Sequence, residues 1–269
     1  MSTADVAERP GQLTHHKRGG VGVVVFDNQR KLNAVSFEMW SALPAVMKQF
    51  EADPEVRVIV ITGAGERAFI SGADISQFDS RRSTASGSDK YNTAVAGGYG
   101  AVLDCVKPTV ARIRGVCMGG GLGLALNCDI RICSEDARFR MPAARLGLGY
   151  SFSGLQRFAE VLGPANTADL FFSARIFGAA DALSMGLVKQ VLQVAEFDGF
   201  VDGYVDMIAE NAPLTVAAAK RALLELRKDP GVRDPALVGR MVDACFASGD
   251  YDEGRKAFAE KHTPKFQGR

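Results

Sequence analysis

Histidine is nearly missing from this chain: only His15, His16 and His262 occur among 269 residues, all close to the ends. The body of the protein therefore offers no imidazole for a Ser-His or Cys-His pair, nor for a histidine metal site. Net charge is missing too, with 32 basic residues against 31 acidic ones, so no global field gathers nucleic acid or an anionic membrane. No stretch approaches the roughly 18 uninterrupted apolar residues of a membrane span, and the N-terminal MSTADVAERPGQL has no apolar segment of a secretion signal. The cytoplasm is the expected compartment. The five cysteines, Cys105, Cys117, Cys128, Cys133 and Cys245, form no CxxC pair and sit in apolar contexts, as buried thiols in a reducing compartment do. An enzyme of this composition has carboxylates, tyrosines, lysines and backbone amides to work with.

What is present reads as α/β. After a polar tail, VGVVVFD (21 to 27) is a buried strand, and SFEMWSALPAVMKQFEAD (36 to 53) is an amphipathic helix with Ser36 as its N-cap. VRVIVITGAG (56 to 65) is a second buried strand running into a glycine turn, and AFISGADISQF (68 to 78) a loop leading to a short helix. Residues 79 to 90 are polar, Ser- and Gly-rich, and expected to be mobile. A helix near 91 to 106, the strand TVARIRG, a glycine-rich helix and the strand DIRICS follow. Strand, glycine turn, helix and strand recur with short parallel connections. From about residue 154 the chain turns helical, at 154 to 163, 165 to 173, 179 to 184, 196 to 211, 214 to 228, 235 to 247 and 250 to 260. The expected division is an α/β core over 1 to 200 and a helical segment over 201 to 269.

The stretch GVCMGGGLGLALNCDI (115 to 130) carries the chemistry. A glycine inside a helix costs about 0.5 to 1 kcal/mol relative to alanine, so the cluster at 119 to 123 needs a compensating reason. Either the helix packs unusually close to a strand, or a ligand approaches the backbone where free N–H groups favour developing negative charge. A dinucleotide fingerprint fails on spacing, since Leu124 and Leu126 stand where its last glycine would fall. No G-x-x-x-x-G-K-[ST] and no G-x-S-x-G occurs either. In AFISGADI the amide of Ala73, just after Gly72, sits at a second helix start. Two such amides aimed at one point make an oxyanion hole for a carbonyl that becomes an enolate or a tetrahedral oxyanion.

At this point the sequence resembles the crotonase superfamily, that of enoyl-CoA hydratases and isomerases. The resemblance runs through RKLNAV (30 to 35), AFISGADI (68 to 75), KPTVARIRGVCMGGGLGLALNCDIRICSEDARFRMPAARLGL (107 to 148), ARIFGAADALSMGLVKQV (174 to 191), NAPLTVAAAKRAL (211 to 223) and DEGRKAFAEKHTPKF (252 to 266). It implies a spiral core of stacked ββα units and C-terminal helices that trimerise, with a homotrimer or a hexamer of two trimers as the assembly. It implies an acyl-CoA thioester as substrate, coenzyme A entering only as part of it, with no separate cofactor and no metal. The oxyanion-hole amides are then those of Ala73 and Gly120, with Lys31, Gly72, Asp74, Ile75, Gly119 and Gly121 as further substrate-binding positions. Phe258 and Lys261 match the C-terminal pair that helps cover the adenine and 3′-phosphate of CoA, with trimer packing the equal alternative for Phe258.

The catalytic acids of the family do not carry over. Typical hydratases place glutamates at the positions that are Gly123 and Ala143 here, and neither residue can move a proton. LGLGYSFSG (146 to 154) resembles the stretch that carries an active-site tyrosine in methylmalonyl-CoA decarboxylases of the superfamily, and Tyr150 matches that tyrosine. Ser151 and Ser153 stand beside it, and Arg145 offers a partner for a substrate carboxylate; the alternatives are a buried tyrosine with a satisfied hydroxyl and a surface arginine. Asp74 is expected to cap the next helix, Asp129 to be structural, and Glu66 and Asp79 to reach a pocket only if 79 to 90 folds over it. A catalytically silent acyl-CoA binder is the alternative to an enzyme. RNA binding by KRALLELRK (220 to 228) is disfavoured by its apolar stripe and the neutral net charge.

Overall fold

Along Val58–Gly63 the side chains alternate between two destinations: Val58 and Val60 join one apolar cluster, Ile59 and Ile61 another. A strand apolar on both faces must be covered on both faces, which makes it the inside of a layered α/β fold. The structure, a computed structural model, describes residues 11–74 and 85–269, with the backbone alone for 85–88. Its elements are β1 (Gln12–Arg18), β2 (Val21–Asp27), α1 (Phe37–Ala52), β3 (Val58–Gly63), β4 (Ala68–Ile70), α2 (Ala85–Leu103), β5 (Thr109–Ile113), β6 (Val116–Met118), α3 (Gly120–Asn127), β7 (Ile130–Ser134) and β8 (Arg138–Arg140). After them come α4 (Phe152–Ser173), β9 (Phe177–Gly178), α5 (Ala179–Ser184), β10 (Gln190–Leu192), α6 (Val194–Glu210), α7 (Pro213–Leu226), α8 (Pro235–Phe246) and α9 (Gly249–Glu260).

Among the described residues the strands form a six-stranded sheet ordered β1-β2-β3-β5-β7-β10 and a four-stranded one ordered β4-β6-β8-β9. The large sheet is parallel except for β1, and the small one except for β9. Three successive strand pairs, β3 with β4, β5 with β6 and β7 with β8, each put their first strand in the large sheet and their second in the small one. Each turn of chain is thus a ββα unit, and the units stack as a spiral. The main core lies between the sheets and α1, α3 and α4, with Trp40, Phe26, Phe69 and Phe139 fully buried in it. On the outer face of the large sheet, α6 lays Phe197, Val201 and Val205 over Val58, Val60, Val110 and Ile132. The expected division at residue 200 falls inside α6.

Several elements differ from expectation. The polar tail is in part a strand: QLTHHKR pairs antiparallel with β2 from Gln12 to Arg18. Its side chains are largely exposed, so backbone pairing at the sheet edge holds it without an apolar signature. The loop after Arg67 begins with the three buried residues of β4. The two expected helices around residue 163 form one element broken at Gly163, whose φ of 76° precedes Pro164. Ser36 caps α1 as expected, its hydroxyl accepting from the Met39 amide at 3.2 Å. Four of the cysteines are buried and Cys245 is half-buried. No helix among the described residues is long and apolar enough to cross a membrane.

Candidate active site

Two neighbouring parallel strands of the small sheet, β4 and β6, end side by side. The chain leaves β4 through Ser71 and Gly72 and leaves β6 through Gly119 into α3. Gly72 has φ +122° and Gly119 φ +50°, conformations an L side chain resists. The turn at Gly72 is clamped by the segment 30 to 35: the amides of Ser71 and Asp74 donate to the carbonyls of Leu32 and Val35, and Val35 N donates to Gly72 O at 2.8 Å. Buried Asn33 braces that segment, its Nδ2 donating to the carbonyls of Ala64 and Ala68 and its Oδ1 accepting from the Asn28 amide. This pattern uses the amides of Ser71 and Asp74 and the carbonyl of Gly72, and leaves the amide of Ala73 out of the ladder.

The two amides come together. Ala73 N lies 3.9 Å from the point where a Gly120 Cβ would stand, and Gly120 N lies 3.9 Å from the corresponding point on Gly72. Among the described residues neither N–H has a backbone acceptor. Gly120 is also the first residue of α3, where the amide has no partner within the helix. Two donors held at one place, backed by a helix start, can serve one acceptor oxygen that gains charge.

Other expected positions have protein partners. Lys31 Nζ bonds both carboxylate oxygens of Asp74, at 3.1 and 2.9 Å, and Asp74 is only 7% exposed. A Cβ on Gly121 would collide with the Ile70 carbonyl and stand 2.6 Å from its Cβ, so that glycine serves close packing of helix on strand. Ser151 caps α4, accepting from Gly154 N. Arg145 is exposed on the 3-10 turn Ala143–Leu146 and makes no ion pair among the described residues. Asp129 accepts from Thr109 and from buried Lys220, and Glu66 meets Arg114 at 3.5 Å. Ile75, Asp79 and the helix that Asp74 was expected to cap lie outside the described residues.

Tyr150 is set deeper than its glycine-rich segment implies. Its ring stands edge-on to Phe158 and Phe171, with centroids 6.0 and 5.0 Å away. Its hydroxyl stands beside Gly123, 3.3 Å from where a Cβ would stand. Sequence reasoning missed the partner, Tyr99 of α2. That hydroxyl occupies the same space, 2.5 Å from the same point, and donates to Gly120 O at 3.0 Å. The available signal was the run GGYG at 97 to 100: a Cβ on Gly98 would stand 2.8 Å from the Trp40 ring, so this helix is pressed against the site. Burial pushes the Tyr99 hydroxyl well above the ordinary tyrosine pKa, with the Tyr150 hydroxyl adding to the rise. Burial raises Tyr150 as well, while its Tyr99 neighbour pulls it back down. No cluster of three or more His, Cys, Asp or Glu side chains is arranged for a metal among the described residues.

Phe258 and Lys261 lie on and just after α9, away from these turns in sequence. Phe258 is 89% exposed and borders an apolar groove of about 690 Å³ between α7, α8 and α9, floored by Leu214, Ala218 and Val242.

A spiral of ββα units with two amides lying close together at adjacent strand ends defines the class of fold to which this protein belongs. The family model described as enoyl-CoA hydratase/isomerase matches residues 16–269. A carnitinyl-CoA dehydratase of Proteus mirabilis is 35% identical over 261 residues, covering 94% of this chain and 97% of the relative. A short-chain-enoyl-CoA hydratase of Clostridium acetobutylicum is 32% identical over 256 residues, 91% of this chain and 93% of the relative. Among solved structures, an enoyl-CoA hydratase/carnithine racemase from Magnetospirillum magneticum matches with a TM-score of 0.89 at 30% identity, covering 96% of both chains. The chain belongs to the enoyl-CoA hydratase/isomerase family.

Proposed function

We propose that the protein is an acyl-CoA thioester enzyme that works through an enolate, with the N–H groups of Ala73 and Gly120 donating to the thioester oxygen as charge gathers on it. The observation that supports this reading is the nearness of two amides without backbone acceptors at the ends of β4 and β6. Removing one donor of such a pair typically costs about 3 to 4 kcal/mol of transition-state stabilisation. The relatives support the substrate class, since both carry a CoA thioester in their names. Coenzyme A enters as part of the substrate, and no other cofactor or metal is needed. The exposed Phe258 beside its apolar groove fits cover by the nucleotide end of CoA, helped by Lys261, or by a neighbouring subunit of a homotrimer or hexamer. The compartment consistent with buried free thiols is the cytoplasm.

Within that class, one observation favours loss of carbon dioxide from a malonyl-type thioester over hydration: tyrosine hydroxyls fill the space beside Gly123, where the family resemblance places an acid. Decarboxylation needs no base. The bond from the α-carbon to the carboxylate breaks, its electron pair passes to the thioester oxygen as an enolate, and CO₂ leaves. The α-carbon then takes one proton, a role this reading gives to the Tyr150 hydroxyl. The deciding experiment is a mass-spectrometric screen of saturated, 2-enoyl and malonyl-type CoA thioesters, with Tyr150→Phe run in parallel. Carbon dioxide loss that collapses in the variant is the expected result. Crotonyl-CoA hydration at the rate of an efficient two-acid hydratase overturns the decarboxylase reading, and tight binding without turnover of any substrate makes the protein a silent acyl-CoA binder.

A further inference from the structure

Two hydroxyls share the space beside the Gly120 peptide. Tyr99 comes from α2, its ring edge-on to Trp40 with centroids 5.2 Å apart and its Oη donating to Gly120 O. Tyr150 comes from the segment before α4, its ring held edge-on by Phe158 and Phe171 of α4. Both oxygens lie within 3.3 Å of the one point that a Gly123 side chain would occupy. A tyrosine hydroxyl has a single proton and two acceptor sites. While Tyr150 is neutral, the proton of Tyr99 belongs to the Gly120 carbonyl. Once Tyr150 is an anion, the same proton has a second and charged acceptor, and a bond to a charged acceptor is about twice as strong as one to a neutral carbonyl.

We propose that Tyr99 is a positioning residue of the enolate site, holding the Gly120 peptide in the resting state and turning its O–H onto the Tyr150 oxygen when Tyr150 gives its proton to the enolate carbon. The inference rests on the enolate reading above and adds a residue to it. In the step, the Tyr150 O–H bond breaks and a C–H bond forms at the α-carbon, so the negative charge passes from the enolate to the Tyr150 oxygen. Solvent water, which meets the exposed segment 144 to 149 beside it, then restores the proton. The titration order agrees with these roles: Tyr99 is pushed up by burial and by Tyr150, whereas Tyr150 is drawn down by Tyr99, so Tyr150 ionises first. Tyr91 of α2 and Cys117 of β6 also face Tyr99 and push it higher. The neighbours from α1 and α4, Trp40, Phe158 and Phe171, do not titrate.

The test measures decarboxylation of malonyl-type thioesters by wild type, Tyr99→Phe, Tyr150→Phe and the double variant across pH. Tyr150→Phe is expected to lower kcat by about 10²- to 10³-fold, in the range of a lost general acid. Tyr99→Phe keeps the ring against Trp40 and is expected to lower kcat about 10-fold with KM little changed. It also moves the alkaline limb of the kcat profile upward, because the donor that drew Tyr150 down is gone while burial still raises it. In the Tyr150→Phe background the same change is expected to have no further effect. Tyr99→His, which keeps a donor at that place, recovers part of the rate and stands in if the phenylalanine variant does not fold. An equal loss in both backgrounds with an unmoved alkaline limb overturns the inference and makes Tyr99 a packing residue, as does an unchanged Tyr99→Phe rate. Failure of wild type itself to release CO₂ from any malonyl-type thioester removes the reading on which the inference rests, so the two failures are told apart by which protein is inactive.

Discussion

A methyl group on Gly123 would stand 2.5 Å from the Tyr99 hydroxyl and 2.9 Å from its ring carbon, far inside contact distance. Tyr99 has little room to yield, since its oxygen is tied to Gly120 and its ring to Trp40. Gly123→Ala is therefore expected to lower stability by about 1 to 3 kcal/mol, the usual cost of overpacking, together with turnover. Urea unfolding beside the activity assay checks this, and an unchanged midpoint means that Tyr99 moves aside freely. For the same reason Gly123→Glu alone does not create a hydratase: the carboxylate has to displace a buried tyrosine, and Ala143 still offers no second acid. A crotonyl-CoA hydration assay of that variant is expected to stay at the parent level. The glycine cluster thus divides its labour by residue. Gly119 bends the chain, Gly121 lets α3 lie on Ile70, Gly123 leaves room for two hydroxyls, and Gly120 opens α3 with an amide that has no backbone acceptor among the described residues.

At the scale of elements, helix α7 is pinned to the sheet by one ion pair. Lys220, itself buried, reaches both oxygens of Asp129 at 2.6 and 2.7 Å, while Asp129 also accepts from the amide and hydroxyl of Thr109 at the start of β5. Lys220→Met removes the buried partner of a half-exposed pair and is expected to cost about 1 to 2 kcal/mol, between a surface and a buried pair; a loss below about 0.5 kcal/mol in urea unfolding means that the pair is no more than a surface contact. The stretch around Lys220 reads as a solvated basic face over an apolar stripe, but the structure buries Lys220 and Glu225 and exposes Leu223 and Leu226, because Lys220 turns inward to Asp129; α1 with its Ser36 cap and the doubly buried β2 and β3 were legible. Periodicity and caps are local signals, and these elements are long enough to display them. Strands β4, β6, β8 and β9 are two or three residues each, too short for a period of two to register. β1 escaped because its pairing with β2, not its side chains, makes it a strand. The nearness of the Ala73 and Gly120 amides was expected only from the resemblance, since it depends on β4 and β6 being neighbours in the small sheet, and Tyr99 was hidden because its partners are up to 59 residues away in the chain.

For the molecule as a whole, buried thiols set an alkaline limit. Burial raises Cys105, Cys128 and Cys133 from 9.0 to about 12. Above pH 9 the unfolded chain releases these protons while the fold retains them, so stability is complete below that pH and declines as pH rises toward about 12, by roughly 1 kcal/mol per thiol per pH unit. The raised Tyr99 and Tyr150 deepen the decline above the ordinary tyrosine range. Urea midpoints at about pH 8 and about pH 10 are expected to fall accordingly, and equal midpoints mean that the thiols ionise in the fold. The same burial places the protein's one tryptophan. Trp40 is 1% exposed, its Cζ2 edge is 3.4 Å from the position a Gly120 side chain would take, and its indole N–H has no hydrogen-bond partner among the described residues. The whole chain thus has a single indole chromophore, and it lies beside the proposed carbonyl site. Ultraviolet emission from the unmodified protein is a direct optical readout of what occupies that site, with no dye, tag or coupled reaction between the ligand and the light.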